Sequence, residues 1–250
     1  MGSANHLLGR AIGLSFRLVP RRFRFRAAVC AARLLQPYIR RTQMYELRIQ
    51  QRADTIREIT LDIVMRTLTR YGTTYDPIAT VEGIEHLPPT DQPGPMLVVS
   101  PHMMLGMVFF RLLRERGWES VLLATGGEMR VPGTREPLRV EPAPSPELLL
   151  RVRRHFQEGR VVVAAIDRAD PEPHNALYQT RRGEMRFSHA LVRLAAHCGA
   201  RVLFMGTWLD ERSRIVLRLA PAGAADADGM LAEFVAFVDA MPVPAPASLP

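Results

Sequence analysis

The sequence predicts an α/β protein: a mostly parallel central sheet with helices on both faces, preceded by N-terminal amphipathic helices. Three observations lead there. Short, unbroken apolar runs recur at MLVVS (96–100), SVLLAT (120–125) and RVVVAAID (160–167). Such runs mark strands buried on both faces. Longer stretches of helical periodicity lie between them. The order β-α-β-β-α-β-α-β-β then calls for crossover helices on a parallel sheet.

The N-terminal stretch LLGRAIGLSFRLVPRRFRFRAAVCAARLL interleaves Arg10, Arg17, Arg21, Arg22, Arg24, Arg26 and Arg33 with Leu14, Phe16, Leu18, Phe23, Phe25 and Val29. Pro20 divides it into two helices. The pattern suits a helix lying on an anionic membrane, and equally a helical layer packed on the protein's own core. Residues 43–71 carry a helical stripe of Ile49, Ile56, Ile59, Ile63, Val64 and Leu68, ended by Tyr71-Gly72 and Pro77. ATVEGIEHL (79–87) reads as a strand and turn, and PPTDQPGP (88–95) as a loop.

After the strand at 96–100, residues 103–116 form a helix, followed by the strand at 120–125 and a weaker one, LRVEP (138–142). Residues 145–159 form the next helix, with Ser145 as N-cap, Pro146 in its first turn and Gly159 as its stop. The strand at 160–167 leads into a polar loop with two prolines. Residues 185–200 then read as a helix that stops at Gly199. RVLFMGTW (201–208) and RIVLRLAP (214–221) are strands joined by a tight connection, and a last helix spans roughly 227–240. Three regions follow: a helical, membrane-associating region at 1–75, an α/β domain at 76–241 and a flexible tail at 242–250.

Apolar residues make up 47% of the 250, enough for a packed core. All 33 basic residues are arginine, and the net charge is +8. That field attracts anionic lipid, nucleic acid or acidic carrier proteins. Nucleic acid is set aside, because no recognition motif occurs and the arginines gather in the N-terminal helices. Cys30 and Cys198 stand alone, so neither a disulfide framework nor a zinc site is expected. No metal or cofactor is called for. No run of 18 apolar residues occurs, which argues against a spanning helix.

Ligands of parallel α/β sheets gather at the carboxyl ends of the strands. His102 and Asp167 stand at two such ends, and Glu128 follows Gly126-Gly127 at a third. These are the candidate base and its auxiliary acids, with Glu184 a further candidate. Arg168, Arg181, Arg182 and Arg186 crowd the loop after Asp167, and a guanidinium fork suits phosphate. The helix after His102 is soft and apolar, with Met103, Met104, Met107, Phe109 and Phe110. It fits a soft apolar groove that Met103 and Gly106 would line, and equally plain core packing. Glu184 and His189 read as a structural pair at one helix end. Trp118-Glu119 reads as surface, and His174 as a loop residue.

The succession GIEHLPP, MLVVSPH, EGRVVVAAIDR and HALVRLAAHCGARVLFMGTW resembles the bacterial lipid A late acyltransferases, the lauroyl and myristoyl transferase branch of the lysophospholipid acyltransferase superfamily. Gly83, Glu85 and Leu87 match its turn before the first core strand. His102 matches the histidine opening its HxxxxD/E motif, and Asp167 its later strand-end acid. Leu194-Ala-Ala with Gly199-Ala matches its following helix. The resemblance implies a membrane-bound acyltransferase on the inner face of the cell membrane. Its donor would be an acyl carrier protein or acyl-CoA thioester, and its acceptor a lipid or natural product. His102 would be the general base. The motif's acid, five residues on, is replaced by Met107, which cannot orient an imidazole. Asp167 is the preferred substitute, with Glu128 and Glu184 behind it. A catalytically silent relative is the alternative. It would bind acyl groups or carrier as a partner subunit, or use the cleft for a related thioester or cyclisation reaction.

Overall fold

In a computed structural model, residues 2–41, 55–91, 94–125, 129–167, 175–181 and 183–242 are described. Ten strands and seven helices lie among them. The helices are α1 (Gly2–Arg17), α2 (Arg21–Arg40), α3 (Ile56–Arg70), α4 (Val108–Glu115), α5 (Leu148–Gln157), α6 (His189–His197) and α7 (Ala227–Ala240). The strands are β1 (Ala79–Glu82), β2 (Met96–Ser100), β3 (Ser120–Ala124), β4 (Met129–Arg130), β5 (Pro137–Pro142), β6 (Val161–Ala165), β7 (Asn175–Thr180), β8 (Gly183–Ser188), β9 (Arg201–Leu209) and β10 (Ile215–Pro221).

Eight strands form one sheet in the order β1-β10-β9-β2-β6-β3-β5-β4. From β9 to β5 all neighbours run parallel; β10 turns antiparallel to β9 at one edge, and β4 antiparallel to β5 at the other. The fold is α/β with a mostly parallel sheet, as the alternating pattern requires. β2 and β6 are central because they are apolar on both sides. Leu97, Val99, Val162 and Ala164 pack with α5, α6 and α7. Met96, Val98, Val161 and Val163 pack with α4 through Phe109, Phe110 and Leu113. Alternate residues of a strand point to opposite faces, so an unbroken apolar run fills two cores at once.

The N-terminal helices are present, and α2 buries Phe25, Ala28 and Ala32 against Leu61, Val64, Met65 and Leu68 of α3. The same cluster includes Leu105, Val108 and Ile215. Arginines fasten this layer: Arg24 donates to the Thr74 carbonyl at 2.8 Å, and Arg33 and Arg57 each reach Ser213 Oγ at 2.9 Å. α3 starts at a capping box. The Glu58 backbone N–H donates to Thr55 Oγ1 at 3.3 Å and the Thr55 N–H to Glu58 Oε2 at 2.6 Å. Glu58 Oε1 also accepts from the Leu209 N–H at 2.9 Å, tying α3 to the end of β9. The earlier part of the stripe from residue 43 falls outside the described residues.

Several expectations need correction. The helix expected over 103–116 begins as a 3-10 turn at Met104–Met107 and becomes α-helical at Val108. The helix expected from 145 starts at Leu148, because Ser145 forms a turn, accepting from the Glu147 N–H at 3.3 Å, rather than capping the helix. The expected helix over 185–200 is a strand and then a helix. β8 pairs antiparallel with β7, and α6 begins only at His189. In β8 Phe187 is buried and Glu184 exposed. Trp118 is buried in the core, 5% exposed, and only Glu119 is on the surface. The last helix, α7, falls where expected.

Gly83 shows why the turn after β1 needs glycine. Its φ is +74°, and a Cβ there would stand 2.0 Å from the Leu219 carbonyl oxygen.

Candidate active site

β2 and β6 are parallel neighbours with Ser100 opposite Ala165. The pairing runs one residue further, since the Ile166 N–H donates to the Ser100 carbonyl at 3.1 Å. His102 and Asp167 each lie two residues past that register point. Parallel strands sit only about 4.8 Å apart, so equal overhangs bring the two side chains together.

The carboxylate of Asp167 holds His102 at two points. Oδ2 accepts the His102 backbone N–H at 2.7 Å, and Oδ1 lies 2.9 Å from Nδ1. A carboxylate only accepts, so the neutral ring carries its proton on Nδ1 and leaves a lone pair on Nε2. Asp167 is 4% exposed and His102 26%. The acid is sequestered, whereas the base is reachable. Nε2 has no partner among the described residues. The arrangement can take a proton from an acceptor hydroxyl or amine, and the buried carboxylate stabilises the imidazolium that results.

Met107 stands five residues after His102. It is half-buried, packs toward the core under α4 and lines a cavity shared with α3. The acid beside the histidine comes instead from the neighbouring strand, 65 residues along the chain.

The remaining candidates fare differently. Met103 is half-buried on the other face of the sheet, its sulfur accepting from the Thr207 N–H at 3.3 Å, so it anchors the loop that carries His102. Gly106 is buried, and an added Cβ would meet only Met205 Cε at an ordinary 3.5 Å, so nothing there demands glycine. Arg186 sits on β8 and donates to the Asn175 carbonyl at 3.4 Å, a contact within the hairpin. Arg181 is bound to Asp239 of α7, its backbone N–H donating to Oδ1 at 2.8 Å. Glu128, Arg168, Arg182 and His174 lie outside the described residues. Glu184 and His189 are not one helix end: Glu184 is exposed on β8, and His189 is buried with Nδ1 3.4 Å from Asp228 Oδ1. The Ser188 N–H donates to the Ile166 carbonyl at 2.9 Å, so α6 begins beside the strand end that carries Asp167.

Among the described residues no three His, Cys, Asp or Glu side chains gather as a metal site, and no helix is long and apolar enough to cross a membrane.

Fold and site together define a class: an α/β protein whose central parallel strands present a His–Asp pair at their carboxyl edge. No protein-family model matches the chain, and no curated protein matches its sequence.

Proposed function

We propose that the protein is an acyltransferase that moves a fatty acyl group from a carrier-protein or coenzyme A thioester to a lipid or natural-product acceptor. The observation that carries this reading is the Asp167-held imidazole of His102, with Nε2 unpartnered among the described residues, at the carboxyl edge of the sheet. His102 Nε2 takes the proton of the acceptor hydroxyl or amine as that group attacks the thioester carbonyl. The new C–O or C–N bond forms, the C–S bond breaks, and the departing thiolate takes the proton back from the imidazolium. Asp167 orients the ring and balances its transient charge.

The protein works at an anionic membrane surface on the inner face of the cell membrane. Leu18, in the turn after α1, and Leu34 on α2 are 89% and 82% exposed, and Arg22 stacks over Phe23 at 4.8 Å. Arg10, Arg26, Arg40 and Arg41 make no ion pair among the described residues. Each arginine near such a surface contributes about 1 kcal/mol. Truncating residues 1–40 would uncover the core at Phe25, so Leu18→Asp/Leu34→Asp is the cleaner variant. It should lose sedimentation with anionic vesicles while melting as wild type does. Retained sedimentation refutes this placement.

The second reading is a non-catalytic relative that binds acyl groups or carrier protein, favoured by Met107 in the acid position. Asp167 weighs against it, since the histidine has an acid after all. Single-turnover loss of acyl groups from a carrier thioester, with mass-spectrometric detection of the acylated acceptor, separates the two. Turnover by the wild type that falls by about 10²–10⁴ in His102→Ala supports the enzyme. Carrier binding without turnover by any donor supports the silent relative.

A further inference from the structure

A cavity of about 470 Å³ lies between α3, the segment after His102 and the chain at 129–132. Its volume falls within the 300–1,000 Å³ typical of small-molecule sites. The cavity is polarised. Met65, Tyr75, Leu105 and Val108 line it and are almost fully buried. Met107 and Met129 add two more flexible thioethers from two further segments. Methionine from three separate segments makes an apolar wall that adapts to an irregular guest. The inner polar atoms are already bonded: Tyr75 Oη reaches Thr69 Oγ1 at 3.1 Å and the Met65 carbonyl at 3.2 Å.

The outer lining is cationic. Arg66, Arg70 and Arg130 border the cavity, and all three are exposed. Among the described lining residues the one acid is Asp62, whose Oδ2 meets Arg66 Nε at 2.6 Å. Three guanidiniums against that carboxylate leave two positive charges among the described residues. Arg70 and Arg130 have no hydrogen-bond or ion-pair partner among the described residues. Two uncompensated guanidinium forks over a buried apolar wall are complementary to an oxyanion that carries an alkyl chain.

We propose that this cavity binds an amphiphilic anion, with its alkyl chain against Met65, Leu105, Met107 and Val108 and its phosphate or carboxylate head between Arg70 and Arg130. The site does not depend on acyl transfer at His102, and its binding is measured without any thioester.

Calorimetric titration of the full chain with dodecyl phosphate and with dodecanoate, each below its micellar concentration, tests the site. Either ligand should bind with one-to-one saturation, and the tighter of the two identifies the head group. Arg70→Gln/Arg130→Gln, both on exposed side chains, should weaken binding at least about tenfold, as expected for losing charge-assisted hydrogen bonds. Met107→Trp should block the cavity and abolish binding while the thermal melt stays cooperative. His102→Ala should bind as wild type does, so failure of the acyltransferase reading and failure of this site are distinguishable. Equal affinity in the double glutamine variant overturns the proposal. So does dodecyltrimethylammonium binding as tightly as the anions, which would mean apolar adsorption alone. Inorganic phosphate binding as tightly as dodecyl phosphate would also overturn it, because the chain would contribute nothing. A folded Met107→Trp protein that binds normally would place the ligand elsewhere. If Met107→Trp does not fold, the arginine variant decides by itself.

Discussion

Two histidines in this protein each sit beside a carboxylate, and they differ in one decisive respect. His102 meets Asp167 through Nδ1 at 2.9 Å, and its Nε2 has no partner among the described residues. His155, near the end of α5, has both nitrogens occupied: Nε2 lies 3.0 Å from Glu141 Oε1, and Nδ1 lies 3.2 Å from Arg160 Nη1. Guanidinium only donates and carboxylate only accepts, so the neutral ring of His155 accepts at Nδ1 and donates at Nε2. Its side chain is 3% exposed, against 26% for His102. Proximity to an acid therefore does not mark a base. A base needs one nitrogen held and the other left for substrate.

The sharpest break of this comparison is at Asp167. Asp167→Asn replaces one ring-facing oxygen or turns an amide N–H toward Nδ1, disturbing the tautomer that leaves Nε2 basic. Acyl transfer should fall by about 10²–10⁴, with the thermal melt little changed. Adding Met107→Glu should not rescue it, because residue 107 faces the cavity beside α3 rather than the ring. Recovery of single-turnover rate in the double variant would show that the motif's acid position still reaches His102.

At His155 the readouts should reverse. His155→Leu removes one hydrogen bond from Glu141 and one from Arg160, which keep Arg151 at 3.5 Å and Glu119 at 3.0 Å, and each lost bond is worth about 0.5–1.5 kcal/mol. Urea unfolding should register that loss while acyl transfer continues. A large rate loss at unchanged stability would make His155 part of the chemistry.

Acid should separate the pair from a simple salt bridge. Burial is the largest influence on His155 and holds its pKa below the ordinary value; the bond to Glu141 pulls the other way, and Arg139 and Arg160 push it further down. The unfolded chain therefore takes up a proton near 6.5, before the folded protein does. Stability is full above that pH, falls as the pH drops through it, and levels off once the folded group also protonates. Wild type should lose stability between about pH 7 and pH 5, and His155→Gln should lose less. Parallel denaturation curves for both proteins across that window would refute this.

The smallest effect belongs to Asp76, which pairs with Arg21 at 2.8 Å and Arg111 at 2.5 Å on the protein surface. Burial alone would raise its pKa, but the two guanidinium hydrogen bonds outweigh it and hold the carboxyl below its ordinary range. Its contribution is present above the ordinary carboxylate range and is lost only as the pH falls through the depressed folded value. At 46% exposure the pair is well screened, so Asp76→Asn should cost less than about 1 kcal/mol by thermal melt.

Much of the framework was legible along the chain. The apolar runs that became β2, β3 and β6 announce strands buried on both faces, and His102 and Asp167 are readable as their polar ends. α7 is readable from its periodicity. Thr55 and Glu58 carry a capping-box signal that marks the start of α3. The β7–β8 hairpin is not legible in the sequence, because β8 runs directly into the helical pattern of α6.

Local sequence determines which segments become strands and where each one stops, because solvation and backbone sterics act over a few residues. It does not determine which strands become neighbours. Only the sheet order sets β6 beside β2, and only the register gives residues 102 and 167 equal overhangs. That is why Asp167, not residue 107, became the acid of His102. The same holds for the cavity, whose arginines and methionines are spread from residue 65 to residue 130 and share a wall only after α3 docks. A side chain's hydrogen-bond partners are set by atoms within a few ångströms, and folding brings most of those from far away in the chain.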